Sequence, residues 1–196
     1  VSFVADGPAT PGHWQGIEIV SNARNRLSNA VVQSGGSDGW ANVYVQNGGA
    51  VSIVDSRLGQ SSTYGLHAEA NTRIREFSGN RFAGTQQGSS RIPVTNLGQI
   101  SSDNQFTGYG EYEGENRVEV DGGTVDQVTT WEPLAVPVHF LEDAHIAADV
   151  TIQPGASFTF AQSCRLAVEE GGSLDAVAGT NNRITFEGEA DVPGFW

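Results

Sequence analysis

The chain has 196 residues, enough for one domain with a sizeable core, and its 38% hydrophobic content is too high for a disordered chain of this charge. Ten arginines against 23 acidic residues, with no lysine, give a net charge of −13, which argues against nucleic acid and anionic membrane surfaces as partners and suits a protein kept soluble in high salt. No apolar run approaches the roughly 18 residues of a membrane span, so no membrane insertion is expected.

From Val1 onward the pattern is strand-like. There is no methionine, and nothing at the start resembles a signal peptide, so a processed product or an excised fragment is expected. Apolar residues alternate with period two at Ile17/Ile19, Val43/Val45, Val51/Ile53, Ile92/Val94, Val118/Val120, Val136/Val138/Phe140, Val150/Ile152, Phe158/Phe160, Leu166/Val168 and Ile184/Phe186. Glycine, asparagine, aspartate and serine fill the gaps, and no amphipathic helix of three turns is present.

A repeat separates a solenoid from a sandwich or a barrel. Asn29-Ala30-Val31, Ser56-Arg57-Leu58, Asn80-Arg81-Phe82 and Asn104-Gln105-Phe106 share a small polar residue followed, two positions on, by a large apolar one, at spacings of 27, 24 and 24. A spacing near 24 fits one coil of three short strands and three turns, each strand pairing in parallel with its equivalent about 4.8 Å away. Asn29, Asn80 and Asn104 are read as structural turns, since asparagine tolerates the left-handed region and its amide can bond neighbouring amides in a ladder. The expected fold is therefore all-β, a right-handed parallel β-helix with coils of about 24 residues.

A longer likeness joins the two ends. Val1-Ser2-Phe3 and Pro11-Gly12-His13-Trp14 resemble Ile184-Thr185-Phe186 and Pro193-Gly194-Phe195-Trp196, at offsets of 183 and 182. Residues 1–196 are read as a single β-helix segment, about one period of a longer tandem array, whose first and last coils would join copies end to end.

Gly171-Gly172-Ser173-Leu174-Asp175-Ala176, Gly179-Thr180, Arg183-Ile184-Thr185-Phe186 and Gly12-His13-Trp14-Gln15-Gly16-Ile17 resemble extracellular right-handed β-helix repeat proteins of the broad pectate-lyase-like superfamily. The resemblance covers nearly the whole chain. It implies a β-helix and a secreted or cell-surface location, and it does not imply lyase activity.

Gly35-Gly36-Ser37-Asp38-Gly39 matches a nucleophile-elbow pattern, but a strand, not a helix, follows it, so a loop is expected. Trp40, Tyr44 and Trp131 are candidate stacking platforms for an extracellular polysaccharide. Arg73-Ile74-Arg75 has the look of a substrate-binding arginine motif without its acidic companions. Glu111, Glu113, Glu115, Glu119 and Asp121 share one parity, opposite to Val118 and Val120, and form an outward acidic face. Ca²⁺ would relieve their repulsion, but its ligands must converge within about 2.5 Å and residues two apart on a strand lie nearly 7 Å apart, so a solvated face with no cofactor is preferred. His13, His67, His139 and His145 lack metal-ligand spacing and are read as surface residues. Cys164, the only cysteine, is read as a buried small hydrophobe. No catalytic residue is assigned. A non-enzymatic structural or adhesive segment forming a rigid rod or fibre is the first functional expectation; a polysaccharide-binding or polysaccharide-cleaving module is the second.

Overall fold

The structure, a computed structural model, describes residues 1–7, 10–107, 117–190 and 195. It is the expected parallel β-helix, a solenoid of about seven turns. One sheet runs through all of it. Sheet II holds eight parallel strands: Ile17–Ile19, Val43–Val45, Tyr64–Ala68, Gly88–Pro93, Val118–Asp121, Val138–Phe140, Ser157–Phe160 and Thr185–Gly188.

The other walls change part-way. In the first coils the chain passes from sheet II to sheet III (Asn25–Ser28, Ala50–Val54, Arg73–Ser78) and then to sheet I, which ends at Gln105–Thr107. Beyond it the chain passes from sheet II to sheet IV (Gly123–Val125, Ala144–Ile146, Leu166–Val168) and sheet V (Thr129–Trp131, Asp149–Ile152, Ser173–Ala176). Coil length varies along the solenoid. Hydrogen-bonded equivalents lie 24 residues apart at Ser56 and Asn80, 28 at Ser89 and Arg117, and 20 at His139 and Thr159.

The seam between the two outlines is the 3₁₀ segment Val94–Gln99, where a further strand of sheet III would lie. Asn96 takes over its hydrogen bonding: its Oδ1 accepts the Ile74 N–H at 3.0 Å and its Nδ2 donates to the Thr72 carbonyl at 3.1 Å. Gly98 lets the next coil approach, because a Cβ there would sit 1.9 Å from Thr129 Oγ1.

Inward residues of the alternating strands form one core. Val43, Val45, Val51, Ile53, Val118 and Val120 are fully buried. Phenylalanines stack from rung to rung, Phe82 on Phe106 at 5.5 Å and Phe140 on Phe160 at 5.0 Å between ring centroids; each such pair contributes about 0.5–1.5 kcal/mol beyond burial. Val168, at 49% exposure, departs from the expected inward set. It lies on the last strand of sheet IV among the described residues.

Three expectations are corrected. Asn29 is not the equivalent of Asn80: Val31 pairs with Arg57 and Arg57 with Arg81, which aligns Ala30, Ser56, Asn80 and Asn104. Asn29 belongs one position earlier, with Asp55 and Gly79, and all three have positive φ (50°, 49° and 64°). Asn80 and Asn104 do not, so the left-handed turn and the buried amide ladder are adjacent positions with different work. The likeness of the two ends also does not mark one strand position, since Ser2–Phe3 pairs in sheet I and Thr185–Gly188 in sheet II.

Candidate functional site

Sheet II turns one side chain per rung outward, at about 4.8 Å intervals. Paired in register along the solenoid these are Glu18, Tyr44, His67, Arg91, Glu119, His139, Thr159 and Glu187. Each is flanked by the inward residues of its own strand, so the core fixes their spacing. No other face of the molecule gathers aromatic, imidazole, guanidinium and carboxylate groups in this way among the described residues.

The first part of the row is open to solvent and aromatic. Trp40 and Tyr44, both half-buried, lie 4.8 Å apart between ring centroids. The edge of His67 meets Tyr44 at 5.0 Å, and Tyr64 lies 5.7 Å on its other side. The Tyr44 hydroxyl donates to Glu69 Oε1, whose Oε2 accepts the Asn47 N–H at 2.8 Å. These bonds hold the Glu69 carboxyl below the usual carboxylate range, while burial and the Glu69 partner push the Tyr44 phenol up to about 12. Gln46 Nε2 donates to Glu18.

The His67 imidazole makes no hydrogen bond among the described residues. Burial first, and the Arg91 charge second, lower its pKa. The ring is therefore neutral at pH 7, with a lone pair and an N–H to offer. Arg91 is held by Asp121 Oδ1, through Nε at 2.9 Å and Nη2 at 2.8 Å.

The second part of the row is closed by internal bonds, and here the expected solvated acidic face is corrected. Glu119 is 6% exposed. Its Oε2 accepts the Tyr64 hydroxyl at 2.5 Å, and its Oε1 accepts Arg117 Nη2 at 3.0 Å. Arg117 also reaches Glu189 at 3.3 Å. Outward-pointing does not mean wet, because side chains of neighbouring rungs cover one another. Glu119 and Asp121 thus have arginine counter-charges, and no group of three or more potential ligands that would hold a metal occurs among the described residues. Glu111, Glu113 and Glu115 lie outside the described residues.

His139, expected at the surface, is 1% exposed; Nδ1 lies 2.9 Å from Thr159 Oγ1, and burial and Arg117 lower its pKa. His145 pairs with Glu169 at 2.6 Å away from this face, and His13 is exposed. Trp131 is no stacking platform. It is 1% exposed and packs inward against Phe140 and Phe158 at 6.0 and 5.7 Å. The Gly35 loop forms a single 3₁₀ turn, Ser37–Gly39, ahead of a strand, as expected. Asn29, Asn80 and Asn104 stay structural.

Of the stacking candidates, the structure brings Trp40 and Tyr44 together and leaves out Trp131. Sequence reading missed Glu69 and Arg91 and gave His67 no role. A signal was present: the middle residue of each alternating pair, Glu18, Tyr44, Glu119, His139 and Thr159, is the outward row itself. Comparison with protein-family models, curated proteins and solved structures finds no match.

Proposed function

We propose that the chain is a polysaccharide-binding module of the pectate-lyase-like, extracellular β-helix kind, and that a sugar chain lies on sheet II over Trp40, Tyr44 and His67. The observation that carries this reading is the pair of half-buried rings, Trp40 and Tyr44, rimmed by Glu18, Gln46, Glu69 and the unpartnered His67. Ring faces take the apolar C–H side of a sugar, and the carboxylates, amide and imidazole meet its hydroxyls. The rungs are rigid, so binding costs little ordering.

The test is a panel of neutral and acidic polysaccharides against the wild type, Trp40→Ala and Tyr44→Phe, with binding compared on the neutral members and products assayed on all. Binding that weakens at least tenfold in Trp40→Ala supports the reading; binding unchanged in it removes the site. Release of reducing or unsaturated ends, abolished by His67→Gln, would extend binding to cleavage, with the neutral imidazole as proton acceptor.

A second reading, a rigid structural or adhesive segment of a secreted or cell-surface repeat protein that continues end to end with further copies, is favoured by the unbroken run of eight parallel strands in sheet II. On that reading no neutral polysaccharide in the panel binds.

A further inference from the structure

The charge of the chain is unevenly placed. Positions 1–107 hold seven of the ten arginines and seven of the 23 acidic residues, so the net charge of −13 resides in positions 108–196. Four of those seven arginines, Arg24, Arg26, Arg73 and Arg75, lie on or beside sheet III, and all are exposed. The three strands of sheet III contain a single carboxylate, Glu76, which pairs with Arg26 at 3.1 Å. Arg24 and Arg73 have no ion pair among the described residues, and Arg75 spends one nitrogen on the Asn22 carbonyl at 2.9 Å.

A bulge builds this cluster. Val51 pairs with Ile74 but Ser52 with Glu76, so Arg75 is an extra residue in its strand. It lets Arg75 and Glu76 both face outward while Ile74 and Phe77 stay buried. Arg75 then lines three adjoining clefts. The largest, about 500 Å³, continues past the seam, where Thr95, Gln99, Gln127 and Thr129 add hydroxyls and amides and Asp126 the one carboxylate among the described residues.

We propose that this groove on sheet III is a second binding surface, for an anionic polysaccharide. Guanidinium groups with unused donors take carboxylate or sulfate oxygens, often two at a time. The hydroxyls and amides suit the sugar ring. Among the described residues no aromatic side chain lines any of the three clefts, so the base stacking that single-stranded nucleic acid uses has no platform there. The acidic far half of the solenoid orients a polyanion toward this end by repulsion. The surface is separate from the sheet II row and does not depend on it.

The experiment measures binding of dextran sulfate, polygalacturonate and neutral dextran to the full chain at low and moderate salt. A polyanion binds, dextran does not, and affinity falls with salt. Binding of dextran sulfate alone assigns sulfate esters; binding of polygalacturonate assigns carboxylates. Arg73→Gln/Arg75→Gln weakens binding at least tenfold. Arg24→Gln, whose exposed side chain makes no hydrogen bond among the described residues, weakens it several-fold without touching the fold. Arg57→Gln/Arg81→Gln, which removes the same charge from sheet I, and Trp40→Ala change it less than twofold. The proposal fails if neither polyanion binds, if the two double variants lose binding equally, if Trp40→Ala abolishes it, or if oligothymidylate binds more tightly than both polysaccharides.

Discussion

The side-chain oxygen of Asn104 accepts the backbone N–H of Asn80 at 3.0 Å, one coil away, and Asn80 does the same for Ser56. Each amide also donates back, Asn80 to the Ile53 carbonyl and Asn104 to the Phe77 carbonyl, both at 2.8 Å. The ladder thus runs from side chain to backbone rather than amide to amide.

Asn80→Ala leaves the Ser56 N–H buried without a partner and takes the side-chain donor away from the Ile53 carbonyl. The orphaned donor costs about 1–3 kcal/mol, read as a lower denaturant midpoint. Asn29→Gly is the contrast. That residue is exposed and already left-handed, so its replacement leaves the midpoint nearly unchanged.

Trp131 gives a paired prediction. Its buried Nε1 makes no hydrogen bond among the described residues. Trp131→Ala opens a cavity beside Phe140 and Phe158 and costs about 3–5 kcal/mol. Trp131→Phe removes an unsatisfied donor along with some volume, so its cost in the same denaturation assay is well below that of Trp131→Ala.

Stability falls with acid in two stages. His67 and His139 have lowered folded pKa values, so the unfolded chain takes up protons first. Their contribution is complete above the unfolded value of about 6.5 and declines as pH falls below it. Glu69, also lowered, contributes above its unfolded value of about 4.3 and loses that contribution as pH drops through its folded one. His139→Gln flattens the first stage of a melting-temperature profile between pH 7 and 5; an unchanged slope contradicts the assignment.

Cys164 is buried, and burial raises its thiol pKa. An aromatic disulfide reagent at pH 8 therefore reacts slowly with the native chain and quickly in denaturant. Fast native labelling would show that the corner opens.

Much of this fold was legible because alternation is local. Val43 and Val45 announce a strand whose inward face is fixed by two residues, and the corner at Asn80 and Asn104 repeats at the coil length. What lies beyond was not local. Which strand follows which wall depends on pairing partners far along the chain, so the change of walls left no mark near Asn104. The burial of Glu119 and His139 was hidden for the same reason: their cover comes from Tyr64, Arg117 and Thr159, each on another rung or outside the strand. Trp40 and Tyr44 were recognisable, but Glu69 and Arg91 became site residues only once the register placed them beside Tyr44 and His67.

The seam at Val94–Gln99 also sets how the molecule comes apart. A solenoid behaves as a one-dimensional chain of coupled units, its cooperativity set by each interface between neighbours. Most interfaces share three walls, whereas across the seam sheet II alone is an unbroken ladder, helped by a short segment held through Asn96. An unfolding front started at either end meets its weakest coupling there. Amide exchange would then sort the protons into two blocks, residues before about 107 and residues after about 118, each opening as its own unit.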